Sequence, residues 1–286
     1  MSNLIKRALS GIIYVALIVG AVILGGWWFI GLFCFFSIVA LNEFYGLSNG
    51  STGGENVTTL IIDLTGGFIL TFGLCCINIE LLSPLTTRVL GGTFFTIYLL
   101  YLVVRLVAQL YGREQSPLTN LAYSYMGQMY IALPLGLMSM YYTIADGSAL
   151  LLAMFVMIWL SDTGAFLVGS AIGRHKLFPR ISPGKTWEGF AGGCLFAIGS
   201  AFVFKYCFPT YYSSITIEGL CGLGLVVALF ATWGDLVESL IKRTLGVKDS
   251  GHIMPGHGGI LDRIDSLLLV IPASLIYLIN YVIYAA

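Results

Sequence analysis

The chain has 286 residues, of which 58% are hydrophobic and only 10% charged, and its mean hydropathy is +0.91. That excludes an ordinary soluble domain, which needs far more polar surface. The 14 basic and 14 acidic residues cancel, so net charge gives no ground for a nucleic-acid partner.

A membrane helix needs about 20 mostly apolar residues to cross the hydrocarbon layer. By that measure nine spans follow in chain order, at 9–25, 27–41, 57–79, 89–107, 119–142, 149–169, 189–208, 217–234 and 266–284. The expected fold is an all-α polytopic membrane protein, read as a single domain over 1–286, with 149–286 as its catalytic portion. Lys6 and Arg7 precede the first apolar run, but no small-residue cleavage site follows, so that run reads as a retained helix. The first two spans share a turn at Gly25-Gly26, with Trp27 and Trp28 as interface anchors. Pro134 is expected to kink the fifth span. The six cysteines, Cys34, Cys75, Cys76, Cys194, Cys207 and Cys221, lie in or beside apolar runs without a CxxC pair and read as packed thiols. Small residues along several spans suit packing within one chain as well as a homodimer.

With the N-terminus in the cytoplasm, alternation places twelve lysines and arginines inside: Lys6, Arg7, Arg105, Arg113, Arg174, Lys176, Arg180, Lys185, Lys242, Arg243, Lys248 and Arg263. Arg88 and Lys205 fall outside. The positive-inside rule therefore predicts an N-in, C-out, multi-pass protein, and the expected location is a bacterial inner or plasma membrane. Its two substantial polar loops, 170–188 and 235–265, both come out cytoplasmic.

The densest polar stretch runs from Trp233 to Ser266. It carries Asp235, Glu238, Asp249, Asp262 and Asp265 together with Lys242, Arg243, Lys248, Arg263, His252 and His257. Charge beside a bilayer is costly to keep. Asp235, Glu238 and Lys242 are spaced three and four apart and share a helical face; Glu238–Lys242 reads equally as a plain i,i+4 ion pair. Asp262 and Asp265 repeat the three-residue spacing. Two acidic pairs at the ends of neighbouring spans can face each other, and carboxylates without cysteine suit a hard cation such as Mg²⁺. Asp235, Glu238, Asp262 and Asp265 are thus the metal candidates. Zinc fits poorly, because the histidines lack ligand spacing. Pro255-Gly256-His257-Gly258-Gly259 runs into a helix starting near Ile260, a place where amides attract phosphate, and the flanking cations favour the same ligand. The combination points to a nucleotide or polyphosphate with its metal.

The second polar block begins within span six, where Asp162 is an intramembrane acid between Ser161 and Thr163. Lys176, Ser182, Lys185, Thr186 and Glu188 follow, supplying donors for phosphate oxygens near the headgroup plane. Gly184-Lys185-Thr186 is not a Walker A loop, since the position needing its first glycine is Pro179.

The run Ser239-Leu240-Ile241-Lys242-Arg243, Lys248-Asp249-Ser250-Gly251 and Pro255-Gly256-His257-Gly258-Gly259-Ile260-Leu261-Asp262-Arg263-Ile264-Asp265 resembles the signature of phosphatidate cytidylyltransferases (CDP-diacylglycerol synthases). The segment from Ser161-Asp162-Thr163 through Ile181-Ser182-Pro183-Gly184-Lys185-Thr186-Trp187-Glu188-Gly189 is similar to that family's second shared block. It departs at Gly184, where the family more often has lysine, which leaves Lys185 as the phosphate contact. The resemblance implies that CTP and phosphatidate give CDP-diacylglycerol and pyrophosphate, with Mg²⁺ and a second, monovalent cation such as K⁺. It implies catalytic roles for Asp235, Lys242, Arg243, Lys248, Asp249, His257, Asp262, Arg263 and Asp265. Substrate binding would fall to Ser161, Asp162, Thr163, Lys176, Ser182, Lys185, Thr186, Glu188, Gly256, Gly258 and Gly259. A CTP-dependent polyprenol kinase would share this logic with an alcohol acceptor. A transporter would use intramembrane acids such as Asp63 and Asp162, but no internal repeat is visible.

Overall fold

The computed structural model describes residues 3–52, 57–79, 83–112, 115–251, 253 and 258–285. His252, His257, Gly256 and Arg113 lie outside the described residues. Among the described residues ten α-helices follow one another: α1 (Asn3–Leu24), α2 (Gly26–Thr52), α3 (Val57–Asn78), α4 (Pro84–Tyr111), α5 (Pro117–Gly127), α6 (Leu133–Leu137), α7 (Gly147–Ile172), α8 (Trp187–Cys207), α9 (Ile217–Thr244) and α10 (Leu261–Ala285). Among the described residues seven helices are long and apolar enough to cross a membrane, and Ala8–Leu24 is a shorter apolar stretch. The chain divides into two compact units, one of residues 1–140 and 245–264, the other of 141–244 and 265–286.

In the first unit, α1 and α2 meet at Gly25 and Gly26, whose φ angles of 61° and 51° make the turn expected there. Trp27 and Trp28 are exposed beside it. Helix α2 continues well past the expected end at residue 41, because Glu43 and Ser48 are buried with partners instead of ending the helix in water. The fifth expected span is not one helix. A π-turn at Gln128–Ala132 joins α5 to α6, with the Leu133 N–H donating to the Gln128 carbonyl, and Met138–Thr143 is a 3₁₀ turn. Pro134 supplies the reason: it has no N–H and its ring crowds the carbonyl four residues back. The carbonyl of Ala132, within the π-turn, accepts the Thr71 hydroxyl at 3.1 Å.

Arg105 corrects the charge reading. It is no cytoplasmic loop cation but a fully buried side chain of α4. Its Nε lies 2.9 Å from Asp63 Oδ1, Nη1 donates to Gln109 at 2.8 Å and Nη2 to Asn120 at 2.6 Å. Tyr101 and Ser124 donate to the Asp63 carboxylate as well. Removing Arg105 leaves eleven of the twelve lysines and arginines counted inside.

In the second unit α7 and α8 pack backbone to backbone. A Cβ at Gly192 would sit 2.9 Å from the Gly164 carbonyl, and one at Gly164 would sit 2.9 Å from the Gly192 carbonyl. Only glycine permits that approach, the small-residue mode of apolar helices. The polar loop between these helices folds as an antiparallel hairpin, β1 (Lys176–Phe178) and β2 (Ser182–Thr186), pairing Lys176 with Thr186 and Phe178 with Ser182. The hairpin was not expected from the sequence. It is tied to the start of α8 by the Trp187 N–H on the His175 carbonyl at 2.9 Å. The Glu188 carboxylate adds bonds from the Arg174 and His175 N–H groups and from His175 Nδ1.

Candidate active site

The site is built where α9 passes the first turns of α10. Gly234 makes the pass possible: a Cβ there would lie 2.8 Å from the Asp265 carbonyl oxygen and 2.9 Å from Ser266 Cα. With the two backbones this close, Asp235 and Glu238 on α9 meet Asp265 on α10. One carboxylate oxygen from each lies within 4.8 Å of the others. Glu238 is 1% exposed and Asp235 is 39% exposed at the side chain, so the cluster runs from the interior to an open rim.

Two lysines attend it. Lys185, delivered by β2, places Nζ 2.7 Å from Asp235 Oδ2 and donates to the Thr232 carbonyl at 3.2 Å. Lys242, one turn along α9, places Nζ 2.6 Å from Glu238 Oε2. Ser239 donates to Asp235 Oδ1 at 3.1 Å, and the Ser266 N–H donates to Asp265 Oδ1 at 2.6 Å. Three carboxylates stand against two ammonium groups, an arrangement with room for further positive charge. Donors that are all carboxylate oxygen fit a hard divalent cation, and Asp235, Glu238 and Asp265 would hold it.

Beside the cluster lies a cavity of about 550 Å³. Its polar lining comes from both sequence blocks, with Asp162 and Ser170 from α7, Lys185 and Thr186 from β2, and Thr232 and Asp235 from α9; Phe166, Leu177 and Phe190 supply apolar wall. The volume is that of a small-molecule site.

Other expected residues stand elsewhere. Thr186 also caps α8, accepting the Gly189 N–H at 3.1 Å. Glu188 holds the hairpin, as described above. Ser161 is buried against α8 near Gly193. Thr163 donates to the Trp159 carbonyl at 2.8 Å. Lys176 and Arg243 are exposed, and Ser182 is half-buried.

Asp262, Lys248, Asp249, Arg263, Gly258 and Gly259 belong to the first unit. There Asp262 Oδ2 accepts the N–H groups of Ser250 at 2.9 Å and Gly259 at 2.8 Å, so this carboxylate is turned toward its own loop. Lys248, Asp249 and Arg263 are exposed.

Sequence reasoning missed Glu43, a buried acid in an apolar helix, although that placement was itself the signal. It also did not single out His175, whose ring nitrogen lies 2.6 Å from Glu188.

A family model described as "Cytidylyltransferase family" matches residues 5–281. Among curated proteins, a phosphatidate cytidylyltransferase of Staphylococcus aureus (strain COL) is 45% identical over 159 residues, which is 56% of this chain and 59% of that protein. One of Staphylococcus epidermidis (strain ATCC 12228) is 45% identical and one of Staphylococcus haemolyticus (strain JCSC1435) 43% identical, each over the same shares. The matched stretch thus spans under two thirds of the length of these relatives.

Proposed function

The chain belongs to the cytidylyltransferase family, and from that membership we propose that it transfers the CMP moiety of CTP to phosphatidate, giving CDP-diacylglycerol and pyrophosphate. The observation that carries the reading is the carboxylate trio of Asp235, Glu238 and Asp265 beside a cavity lined by Asp162, Lys185 and Thr186. Relatives named phosphatidate cytidylyltransferase support the choice of acceptor.

A phosphate oxygen of phosphatidate attacks the α-phosphorus of CTP. A new P–O bond forms, the bond from the α-phosphorus to the bridging oxygen breaks, and pyrophosphate departs. The attacking oxygen is already anionic at neutral pH, so no serine or cysteine nucleophile is needed. Bound Mg²⁺ would offset negative charge on the phosphates as the leaving group forms. Asp235, Glu238 and Asp265 would hold the ion. Lys185 and Lys242, kept in place by Asp235 and Glu238, bind phosphate oxygens and bring two polyanions together. Thr186 donates to the lipid headgroup, while Phe166, Leu177 and Phe190 shield the cavity from bulk water. Both polar blocks face the cytoplasm, where CTP is found, and the acyl chains stay among the helices.

The test is to purify the chain, supply CTP, phosphatidate and Mg²⁺, and measure CDP-diacylglycerol. Product should appear, vanish on chelation and return with Mg²⁺, and a polyprenol should not replace phosphatidate. Failure to form product from folded protein across several detergents and cations would overturn the reading.

A further inference from the structure

We propose that Glu43 is a positioning residue: from α2 it fastens Ser250 and the first turn of α10, the helix that carries Asp265. The proposal rests on the reading of Asp265 as a metal-binding carboxylate.

Glu43 is 7% exposed. Its carboxylate accepts the Ile260 N–H at 3.0 Å, the Leu261 N–H at 2.9 Å and the Ser250 hydroxyl at 3.1 Å. Those two amides open α10, whose first N–H groups have no partner within the helix. A carboxylate there satisfies them and complements the positive end of the helix dipole. A buried acid is stable only when it is bonded in this way. The loop is shaped to receive it. A Cβ at Gly259 would collide with Glu43 Oε2 and the Ser250 hydroxyl, and one at Gly251 would lie 2.6 Å from Oε1.

With Asp262 on the Ser250 and Gly259 N–H groups, the chain's own carboxylates take the amides of Gly259, Ile260 and Leu261. This changes the part played by the glycines. The sequence suggested a phosphate cradle at the start of α10, but these amides are already committed, and the glycines Gly251 and Gly259 give Glu43 access to the loop. Asp265 follows Leu261 by about one turn of the same helix, so loss of the clamp would let α10 fray from its first turn toward Asp265.

The experiment compares wild type with Glu43→Gln, Glu43→Asp and Ser250→Ala in the full-length purified protein. Hydrogen exchange reads the loop amides, and Mg²⁺ affinity is read by thermal shift without CTP, so neither depends on turnover. Glu43→Gln should speed exchange across 250–261 by ~10-fold or more and raise the Mg²⁺ concentration for half-maximal shift by ~10-fold. Glu43→Asp should recover part of both, and Ser250→Ala should move both less. Unchanged exchange and Mg²⁺ affinity in folded Glu43→Gln would overturn the proposal. If that variant does not fold, the same null result in Ser250→Ala and Glu43→Asp overturns it. Both effects in a wild type that makes no CDP-diacylglycerol would sink the functional reading and leave the clamp standing.

Discussion

Each unit keeps a group of charges among apolar helices, and the two groups are built to opposite ends. In the first, Asp63 and Arg105 face each other at 2.9 Å, and Gln109, Asn120, Tyr101 and Ser124 complete the bonding around them. The group is sealed. In the second, Asp235, Glu238 and Asp265 stand against Lys185 and Lys242 and open on a cavity. Intramembrane charge by itself therefore does not point to function; the convergence of three acids beside an opening is what the proposed site rests on.

The contrast can be broken experimentally. Arg105→Ala strands a buried carboxylate, and losing one partner of such a pair costs about 3–5 kcal/mol. The melting temperature in detergent should fall sharply, with whatever folds retaining its Mg²⁺ affinity. An unshifted melt with lost activity would move Arg105 into the catalytic group. Asp265→Asn should do the reverse, cutting CDP-diacylglycerol formation by ~100-fold or more while the melt barely changes. Lys185→Ala should lower kcat/KM about 10-fold, more than Lys176→Ala, because Lys185 lines the cavity whereas Lys176 is exposed on β1; equal effects would erase the distinction between the cavity and the surface.

The smallest effect belongs to a third kind of acid. Asp146, just before α7, accepts the Ser214 N–H at 2.9 Å and the Ser213 hydroxyl at 3.1 Å, and the Ser214 N–H leads in holding its carboxyl below the usual range. A folded-state pKa below the unfolded one gives stability that is present above about pH 4 and lost as pH falls through the folded value. Asp146 has φ 55°, a conformation that asparagine also tolerates, so Asp146→Asn isolates the charge. Wild type should lose about 1 °C more than this variant between pH 5 and 3, because the group is only half-buried.

Much of the architecture was legible because apolar runs of span length leave few alternatives. Pro134 was read as a kink, but not the form it takes, since residue type alone does not tell a simple bend from the bond that the Leu133 N–H makes to the Gln128 carbonyl. The end of α2 was misjudged because polarity resembles solvent when its partner is invisible: Glu43 bonds residues more than 200 positions away. Arg105 was misread for the same reason. At the site, the three-residue spacing of Asp235 and Glu238 was visible. Nothing in the spacing of Asp262 and Asp265 told which one joins the α9 acids and which turns to Ser250 and Gly259, for both are consistent with the start of one helix.

The crossing at Gly234 sets the scale of the candidate metal site. Its carboxylates are held apart by the thickness of two bare peptide strands, since the nearest atoms to position 234 are the main-chain atoms of Asp265 and Ser266. Side chains can re-rotate to absorb an intrusion, but packed backbone cannot without moving the helix. Residue 234 is thus the gauge of the proposed site: it sets how closely the α9 and α10 carboxylates can approach a shared ion. A single methyl group added there reaches the chemistry by widening the grip, although it touches neither a substrate nor a carboxylate.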